Sequence, residues 1–481
     1  MMPALFQVLP LVVIWLALGA VGIVIQAYVR NTKLVFGYYL GTLALTAVLA
    51  VVTSGAKGTM FSGMITTGGY ANFFDVLFCS AGILSMIAAR PYLQRLDGEL
   101  DEFYTLLVSA VTGMMLMAHS NHMLVTFIGV ELMSISFYVM SGFLRSDIRS
   151  VEAALKYFLL GAFASGFLVY GMALIYGATG SLEFGGIGAA VVSDALRFPV
   201  LFAIGATLLV IGFCFKIAAF PFHQWAPDVY EGAPTAVTAF MSTGGKAAAF
   251  SALIPIASVV MAGDSVVTGQ MQLMVAIVSA VTMLVGNISA IAQSNVKRML
   301  AYSSIAHAGY MLMGIVNGTT SGSEAIVFYA TAYTFMQIGA FVIVGILERE
   351  EGGHLQLDDY AGLGKRQPVL AALMSVFLFS LAGIPPLGGF FGKYLLFVSA
   401  IDAGFTWLTI VAVASSMISV WFYLGLVVKM YFTEPSGDTS ESPSGIAAIT
   451  LAVSTVAVIA LGIVPGWITS VIRSWPPMLT P

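Results

Sequence analysis

Long apolar runs separated by short polar segments dominate the chain. Stretches of about 18 or more mostly apolar residues recur along its length, and a helix of that length crosses the hydrocarbon layer of a bilayer. The polar segments between them are rich in charged or turn-forming residues, as in LQRLDGELDE and TEPSGDTSESPSG. The pattern predicts an all-α membrane protein with 14 transmembrane helices, at about 4–29, 34–53, 70–90, 101–118, 121–144, 151–178, 198–220, 235–260, 270–293, 297–318, 323–347, 368–401, 405–432 and 445–473.

Two of these segments carry signals for an interrupted helix. The seventh reads GFCFKIAAFPFHQWAPDVYEGAP, and the twelfth reads SLAGIPPLGGFFGKYLLF. Proline removes a backbone donor and clashes with the preceding turn of a helix. Backbone freed in this way is tolerated at membrane depth only inside protein or beside water. We therefore predict broken helices at segments 7 and 12, each next to one lysine, Lys216 or Lys393.

The two broken segments suggest an internal repeat. They lie five segments apart, and a repeat with an odd number of helices has to invert its orientation in the membrane. The predicted division is an N-terminal three-helix region at 1–100, two inverted five-helix repeats at 101–260 and 268–432, and a last helix at 445–473. Paired interrupted helices of this kind are typical of transport sites.

Charge is scarce, and its position is unusual. Of 481 residues, 9% are charged and 59% are hydrophobic, whereas a soluble domain carries about 25% charge. Five charged residues nevertheless fall inside apolar segments, where each costs roughly 2.5–3.5 kcal/mol at the bilayer centre. This cost indicates a path for ions or protons. The five are Glu131, Lys156, Lys216, Lys246 and Lys393.

The remaining basic residues predict an orientation. Twelve follow odd-numbered segments, and three follow even-numbered segments or lie near the C-terminus, which by the positive-inside rule makes the odd loops cytoplasmic and puts both termini outside. The twelve are Arg30, Lys33, Arg90, Arg95, Arg145, Arg149, Lys297, Arg298, Arg349, Lys365, Arg366 and Lys429, and the three are Lys57, Arg197 and Arg473.

Six motifs, spread over more than half of the chain, carry a resemblance to a known family. They are GVELMSISF around Glu131, EAALKYFLLGAFAS around Lys156, GFCFKIAAFPFHQWAPDVYEGAPTAV around Lys216, STGGKAAAF around Lys246, NVKRMLAYSSIAHAGYM around His307, and SLAGIPPLGGFFGKYLLF around Lys393. With these motifs the chain resembles the antiporter-like membrane subunits of respiratory complex I, the proton-translocating NADH:quinone oxidoreductase. Within that family it is most similar to the N type, which carries lysine at the second broken segment where the M type has glutamate, and which lacks the long lateral helix of the L type.

The resemblance implies roles for four residues. Glu131 and Lys216 would form the coupled pair of a first half-channel, Lys246 would connect the two halves, and Lys393 would be the terminal proton carrier, with Gly392 leaving room for water beside it. The subunit would carry protons in a translocase whose redox chemistry takes place elsewhere. We therefore expect no cofactor or metal in this chain, with NADH, flavin, iron–sulfur clusters and quinone in partner subunits.

Other polar residues have a structural reading as well as a functional one. Lys156 lies four residues after Glu152, so a helical ion pair explains it nearly as well as proton transfer. His307 and His223 are candidate relay groups, although a lone membrane histidine is often merely hydrogen-bonded. We expect the following four to be interfacial or solvated, with a proton-uptake role open for the last two: Asp75, His119, Asp228 and Glu231.

Two alternatives and a set of partners follow. The main alternative is the large subunit of a multi-subunit cation/proton antiporter, and the other is a structural scaffold with inert lysines. The expected partners are a neighbouring antiporter-like M-type subunit, a small K-type subunit and the lipid bilayer, with no nucleic acid. The expected location is the bacterial inner membrane.

Overall fold

The computed structural model is almost wholly helical, as the apolar pattern predicts. It describes residues 11–474 except 30, 96–99, 194–195, 264–265, 317, 349–352, 354 and 436–444. The helices are α1 Leu11–Val29, α2 Thr32–Val52, α3 Gly69–Arg95, α4 Asp101–His119, α5 Met123–Ser141, α6 Ile148–Thr179, α7 Phe184–Val192, α8 Pro199–Ile217, α9 Trp225–Gly232, α10 Thr235–Phe240, α11 Lys246–Val260, α12 Val266–Ile291, α13 Val296–Met313, α14 Thr320–Leu347, α15 Leu363–Arg366, α16 Pro368–Ala382, α17 Gly388–Asp402, α18 Thr406–Phe432, α19 Gly445–Ile463 and α20 Pro465–Ser474.

Ten helical segments in the described part of the chain are long and apolar enough to cross a membrane. Every predicted segment contains a helix, but α4 and α13 are not among these ten, and α1 and α16 contribute only shorter apolar stretches. The first segment was predicted from residue 4, and residues 4–10 lie outside the described part, as do Arg30, Arg349 and both termini.

Two segments form the centre of the bundle. In the most apolar 18-residue window of Thr235–Val260 and of helix α14, 94% of the residues are buried, against 39% in those of α2, α6, α18 and α19. Residues in the two central segments therefore contact mainly other protein groups. Lys246 lies on one of these two segments.

Both predicted interruptions are confirmed. Helix α8 ends at Ile217, and Ala218 takes a left-handed φ of 59° before the chain turns into the short helix α9. The twelfth segment is two helices, because α16 ends at Ala382, Gly383 has a φ of 86°, and α17 begins only at Gly388. Each break places a lysine within a few residues of free helix ends.

A third irregularity was not predicted from the sequence. The five residues Met241–Gly245 form a π turn between α10 and α11, directly before Lys246. A Cβ atom on Gly245 would lie 2.9 Å from the ring of Phe137, so close packing requires glycine there. Single π turns inside helices often mark functional positions.

A short β-hairpin marks one end of the bundle. Strands β1 (Gly58–Met60) and β2 (Ile65–Thr67) pair in antiparallel fashion, and Ile65 bridges to Ser120 in the turn after α4. We call this the hairpin end. The opposite end carries the turn between α12 and α13, where Asn295 bridges to Gln356.

Candidate proton path through the helix bundle

Lys216 is buried in the last turn of α8, with hydroxyl groups around its ammonium. Its Nζ donates to Ser134 Oγ at 2.8 Å and to the Tyr138 hydroxyl at 3.4 Å. The rings of Tyr138 and Phe215 lie 5.8 and 5.7 Å from Nζ. The ammonium therefore rests between hydroxyls that both accept and donate protons and rings that stabilise a cation.

Glu131 lies one turn before Ser134 on α5 but does not pair directly with Lys216. It is half-buried, and its Oε1 accepts a hydrogen bond from Ser165 Oγ on α6 at 2.5 Å. Its charge nevertheless acts on Lys216. The structure thus brings the expected pair into electrostatic range, with Ser134 as the direct partner of the lysine.

Lys246 opens α11 immediately after the π turn and is 2% exposed. Its Nζ donates to both the backbone oxygen and the hydroxyl of Ser304 on α13. The same hydroxyl accepts from the Tyr333 hydroxyl on α14 at 2.8 Å. Lys246 contacts neither Asp228 nor Glu231, because those carboxylates pair with Arg298 instead.

His307, on α13, contacts two further hydroxyls, one on α14 and one on α18. Its Nδ1 lies 2.6 Å from the Tyr329 hydroxyl, and its Nε2 lies 3.1 Å from the Tyr423 hydroxyl. Ser303 shares a hydrogen bond with Tyr423 as well. The imidazole faces the interior as predicted, and the two lysines 246 and 393 are the cations that act on it.

Lys393 lies five residues into α17, after the second break, and is also buried. Its Nζ donates to the Ala382 carbonyl at 3.0 Å and to Ser416 Oγ at 2.8 Å, and it lies 4.8 Å from the centre of the Tyr310 ring. A Cβ on Gly383 would come within 3.0 Å of its Cδ, so the glycine at the break makes room for the lysine chain. Gly392 was expected to leave space for water, but it makes room for the ring of Tyr329.

We call these groups together the polar row, although no hydrogen bond among the described residues joins the Lys216 group to the Lys246 group. Hydroxyls and a neutral histidine each accept and donate hydrogen bonds, which is the chemistry that a proton relay requires. In order, the members are Glu131, Ser134 with Lys216, Lys246 with Ser304 and Tyr333, His307 with Tyr329 and Tyr423, and Lys393 with Ser416.

Lys156 and His223 lie apart from this row. Lys156 is 43% exposed in this chain and pairs with Glu152 at 2.7 Å and Asp228 at 3.1 Å, so the helical ion pair that its spacing suggested is present. Partial burial raises the pKa of Asp228, but hydrogen bonds from Arg298 and Lys156 outweigh it, and that pKa lies below its usual range. His223 lies in the first break, half-buried against Phe220.

The comparison with protein families agrees with this geometry. A family model described as "NADH:quinone oxidoreductase/Mrp antiporter, TM" matches residues 120–419, a stretch that contains Glu131 and the lysines 216, 246 and 393. A protein named NADH-quinone oxidoreductase subunit N, from Trichlorobacter lovleyi, is 44% identical over 437 residues, covering 89% of both chains. The chain belongs to the NADH-quinone oxidoreductase subunit N family.

Further relatives of the subunit N family extend the match to nearly the whole chain. The subunit N of Salinibacter ruber is 41% identical over 96% of this chain and 94% of its own length. A chain of respiratory complex I from Thermus thermophilus with bound aureothin is 33% identical, with a TM-score of 0.83 over 96% of this chain and 98% of its own. A chain of the Mrp complex from Dietzia has the same TM-score at 21% identity, which shows the shared fold alone.

This subunit N chain also contains a buried ion pair that the sequence reasoning missed. Lys297 was assigned to a cytoplasmic loop, but it is 2% exposed and lies 3.6 Å from Glu348 at the end of α14. Lys297 Nζ also donates to the Ala233 carbonyl at 2.8 Å, and Glu348 accepts from Thr235 Oγ1 at 2.5 Å. The partners are 51 positions apart in the chain, so no local sequence spacing predicts the pair.

A second missed pair corrects two expectations. Asp75 was expected to be solvated and His119 to be interfacial, but both side chains are 0% exposed. His119 Nε2 lies 2.8 Å from Asp75 Oδ2. The β-hairpin covers them, because β2 packs over the ends of α3 and α4.

Proposed function

We propose that this chain carries a proton path in which Glu131, Lys216, Lys246 and Lys393 are the proton-transfer residues. As a member of the subunit N family, the chain is a membrane-arm subunit of a proton-translocating NADH-quinone oxidoreductase. His307 joins the path through its tyrosine partners. Lys156 and His223 have lower priority, since one is exposed and the other lies off the row.

The observation that carries the proposal is the placement of Lys246. A lysine that is 2% exposed in one of the two most enclosed segments of the bundle is costly. It has no carboxylate partner among the described residues, and its ammonium is held by a serine that also bonds a tyrosine. A purely structural lysine would be paired with a counter-charge, whereas a lysine among hydroxyls is poised to exchange its proton.

The proposed mechanism is electrostatic switching followed by relay. Glu131 acts on Lys216 across Ser134, so a change in the charge of Glu131 changes the proton affinity of Lys216. The released proton passes toward Lys246 and Ser304, and then through the His307 cluster toward Lys393. Moving one charge against a potential costs about 2.3 kcal/mol per 100 mV, and that energy comes from quinone reduction in partner subunits.

We also propose the complete topology of 14 spans with two inverted repeats at 101–260 and 268–432. The breaks in α8 and between α16 and α17 support it. So does a shared connection, because the turn before α5 bridges to the loop after α6 (His122 to Glu183), and the turn before α13 bridges to the loop after α14 (Asn295 to Gln356). The two bridges lie at opposite ends of the bundle, as inversion requires.

The setting follows from the same proposal. We place the chain in the bacterial inner membrane with both termini outside, next to an antiporter-like M-type subunit and a small K-type subunit. The chain binds no nucleic acid, and the redox cofactors belong to partner subunits. The mainly exposed apolar faces of α6 and α18 fit lipid or a neighbouring subunit.

Lys246 provides the test. In the assembled complex, Lys246→Arg keeps a charge that does not release its proton at accessible pH, and Lys246→Met removes the charge. Both should abolish proton pumping, while the matched change Lys365→Ala, at an exposed lysine paired with exposed Glu434, should leave it unchanged. Wild-type pumping in either Lys246 variant would reject the path. Na⁺ or K⁺ exchange without quinone would instead favour the antiporter alternative.

A further inference from the structure

We propose that Asp75 and His119 form a further proton-transfer site, on the hairpin side of Lys246, through which a proton leaves the bundle. The inference rests on the proposed function. It assigns a role to a buried pair that lies outside the polar row between Lys216 and Lys393. An ionisable pair within apolar segments is costly, and in a proton-carrying bundle it is first of all a candidate for transfer.

The hydrogen bonds define where protons sit on this pair. His119 Nδ1 lies 2.7 Å from the Thr66 carbonyl, which can only accept, so Nδ1 carries a hydrogen. The 2.8 Å contact between Nε2 and Asp75 Oδ2 therefore holds the second hydrogen, shared between imidazole and carboxylate. In this state the pair is neutral overall, and both contacts are satisfied.

One acceptor atom remains for an additional proton. Asp75 Oδ1 is buried and has no hydrogen-bond partner among the described residues. A buried carboxylate oxygen requires a donor. Uptake of one proton at Oδ1 makes a carboxylic acid beside an imidazolium, and its release to water restores the starting state. No other bond changes.

Two independent contacts place the pair near the depth of Lys246. The Tyr70 hydroxyl donates to the Ser251 carbonyl at 2.8 Å. Counted from this contact, Asp75 on α3 and Lys246 on α11 each lie five residues further from the hairpin end. Five residues correspond to about 7.5 Å along a helix axis. On α4, Met114 contacts the position of Gly244, and His119 lies five residues nearer the hairpin end.

The pair therefore lies within about one helical turn of the depth of Lys246, on helices that pack against the π turn and α11. On the hairpin side of the pair, Thr66 and Thr67 are half-buried and Phe61 is exposed. His119 is thus nearer the hairpin end than Lys246, while Asp75 lies at about the depth of Lys246.

Other polar groups near the pair are already engaged or uncharged. The Asn72 amide donates to the Ala50 carbonyl and to Thr53 Oγ1, both at 3.0 Å. Cys79 lies one turn after Asp75 on α3, and its free thiol is buried near the pair. Glu183 lies on the hairpin side, next to Gly63. His119 is the charged group that acts on Asp75.

The competing explanation is that the pair only anchors the hairpin. The Asp75→Asn variant distinguishes proton transfer from anchoring, because asparagine keeps the shape and a hydrogen bond to His119 but takes up no proton. We expect the Asp75→Asn complex to assemble normally and to move fewer protons per electron than wild type. The Asp75→Glu complex should keep most of the wild-type ratio. Cys79→Ala, a buried change on the same helix, should pump as wild type does.

Infrared difference spectra supply a readout that anchoring alone does not affect. During turnover, wild type should show a carboxylic-acid signal that is absent in Asp75→Asn and shifted in Asp75→Glu. If Asp75→Asn fails to assemble, the comparison of wild type with Asp75→Glu decides, and an unshifted spectrum overturns the inference. Wild-type proton-to-electron ratios in assembled Asp75→Asn also overturn it. If that happens while Lys246 variants do not pump, the further inference alone is wrong.

Discussion

The two broken helices hold their lysines in different ways. Lys216 lies before its break, beside two hydroxyls and within the field of a carboxylate, Glu131. Lys393 lies after its break and donates to the carbonyl of Ala382, the last residue of α16. No carboxylate forms an ion pair with Lys393 in the described part of the chain. Its counter-charge is the negative end of a helix dipole.

The electric field of Glu131 at Lys216 can change, whereas the field of the α16 helix end at Lys393 is constant. The charge of Glu131 changes when it binds a proton or moves, so the proton affinity of Lys216 responds to events elsewhere. A helix end keeps its partial charge as long as the helix persists. The first half is therefore built for switching, and the second for holding and releasing a proton.

The largest expected effect is at Lys216. Lys216→Ala should lower proton pumping and quinone reductase activity together, by about 10²-fold, the low end of what a positioned acid–base group contributes. The measurement is proton uptake and quinone reduction by the assembled complex in vesicles. If this variant pumps the normal number of protons per electron at a normal rate, Lys216 is not part of the path. The proposed difference between the two halves is then wrong.

The next effect tests whether Lys393 carries protons or only charge. Lys393→Arg keeps a cation near the end of α16 but does not deprotonate at accessible pH. Proton transfer predicts that Arg is nearly as damaging as Ala, with pumping in both about tenfold or more below wild type. Measured at matched assembly, an Arg variant that pumps like wild type shows that Lys393 is an electrostatic gate.

A smaller effect is expected at Glu131, because it acts on Lys216 without touching it. Glu131→Gln retains the hydrogen bond from Ser165 but removes the charge. We expect a loss of roughly tenfold, equivalent to about 1.4 kcal/mol of lost coupling. In the double variant with Lys216→Ala, Glu131→Gln should add little to the loss of pumping. In the double variant with Lys393→Ala, the two losses should add fully. Equal additivity in both double variants would contradict the assignment of Glu131 to the first half.

The smallest effect belongs to the exposed ion pairs around Asp228. Exposed pairs contribute about 0–1 kcal/mol, so Lys156→Ala should change pumping by no more than about fivefold. The lowered pKa of Asp228 means that its stabilisation is complete above the unfolded pKa of about 4 and is lost as the pH falls through the lower folded value. The melting temperature of wild type and Asp228→Asn should therefore differ at pH 7 and converge in acid.

Much of this arrangement was predictable from local chemistry. The apolar segments, the two proline-rich breaks and the lysines beside them are properties of short stretches of chain, because hydrocarbon thickness and proline geometry act on consecutive residues. The predicted interior position of His307 is confirmed for the same reason. The motifs around these residues were enough to indicate the family.

Only the tertiary structure decided which polar groups meet. His119 and Asp75 are 44 positions apart, and Lys246 and Ser304 are 58 apart. Lys156 reaches Asp228 across 72 positions, which leaves it at the surface although its own helix is apolar. The free energy of a buried charge depends on its partner and its solvent. Both are set by the helices that pack around it, and here those helices are distant in the chain.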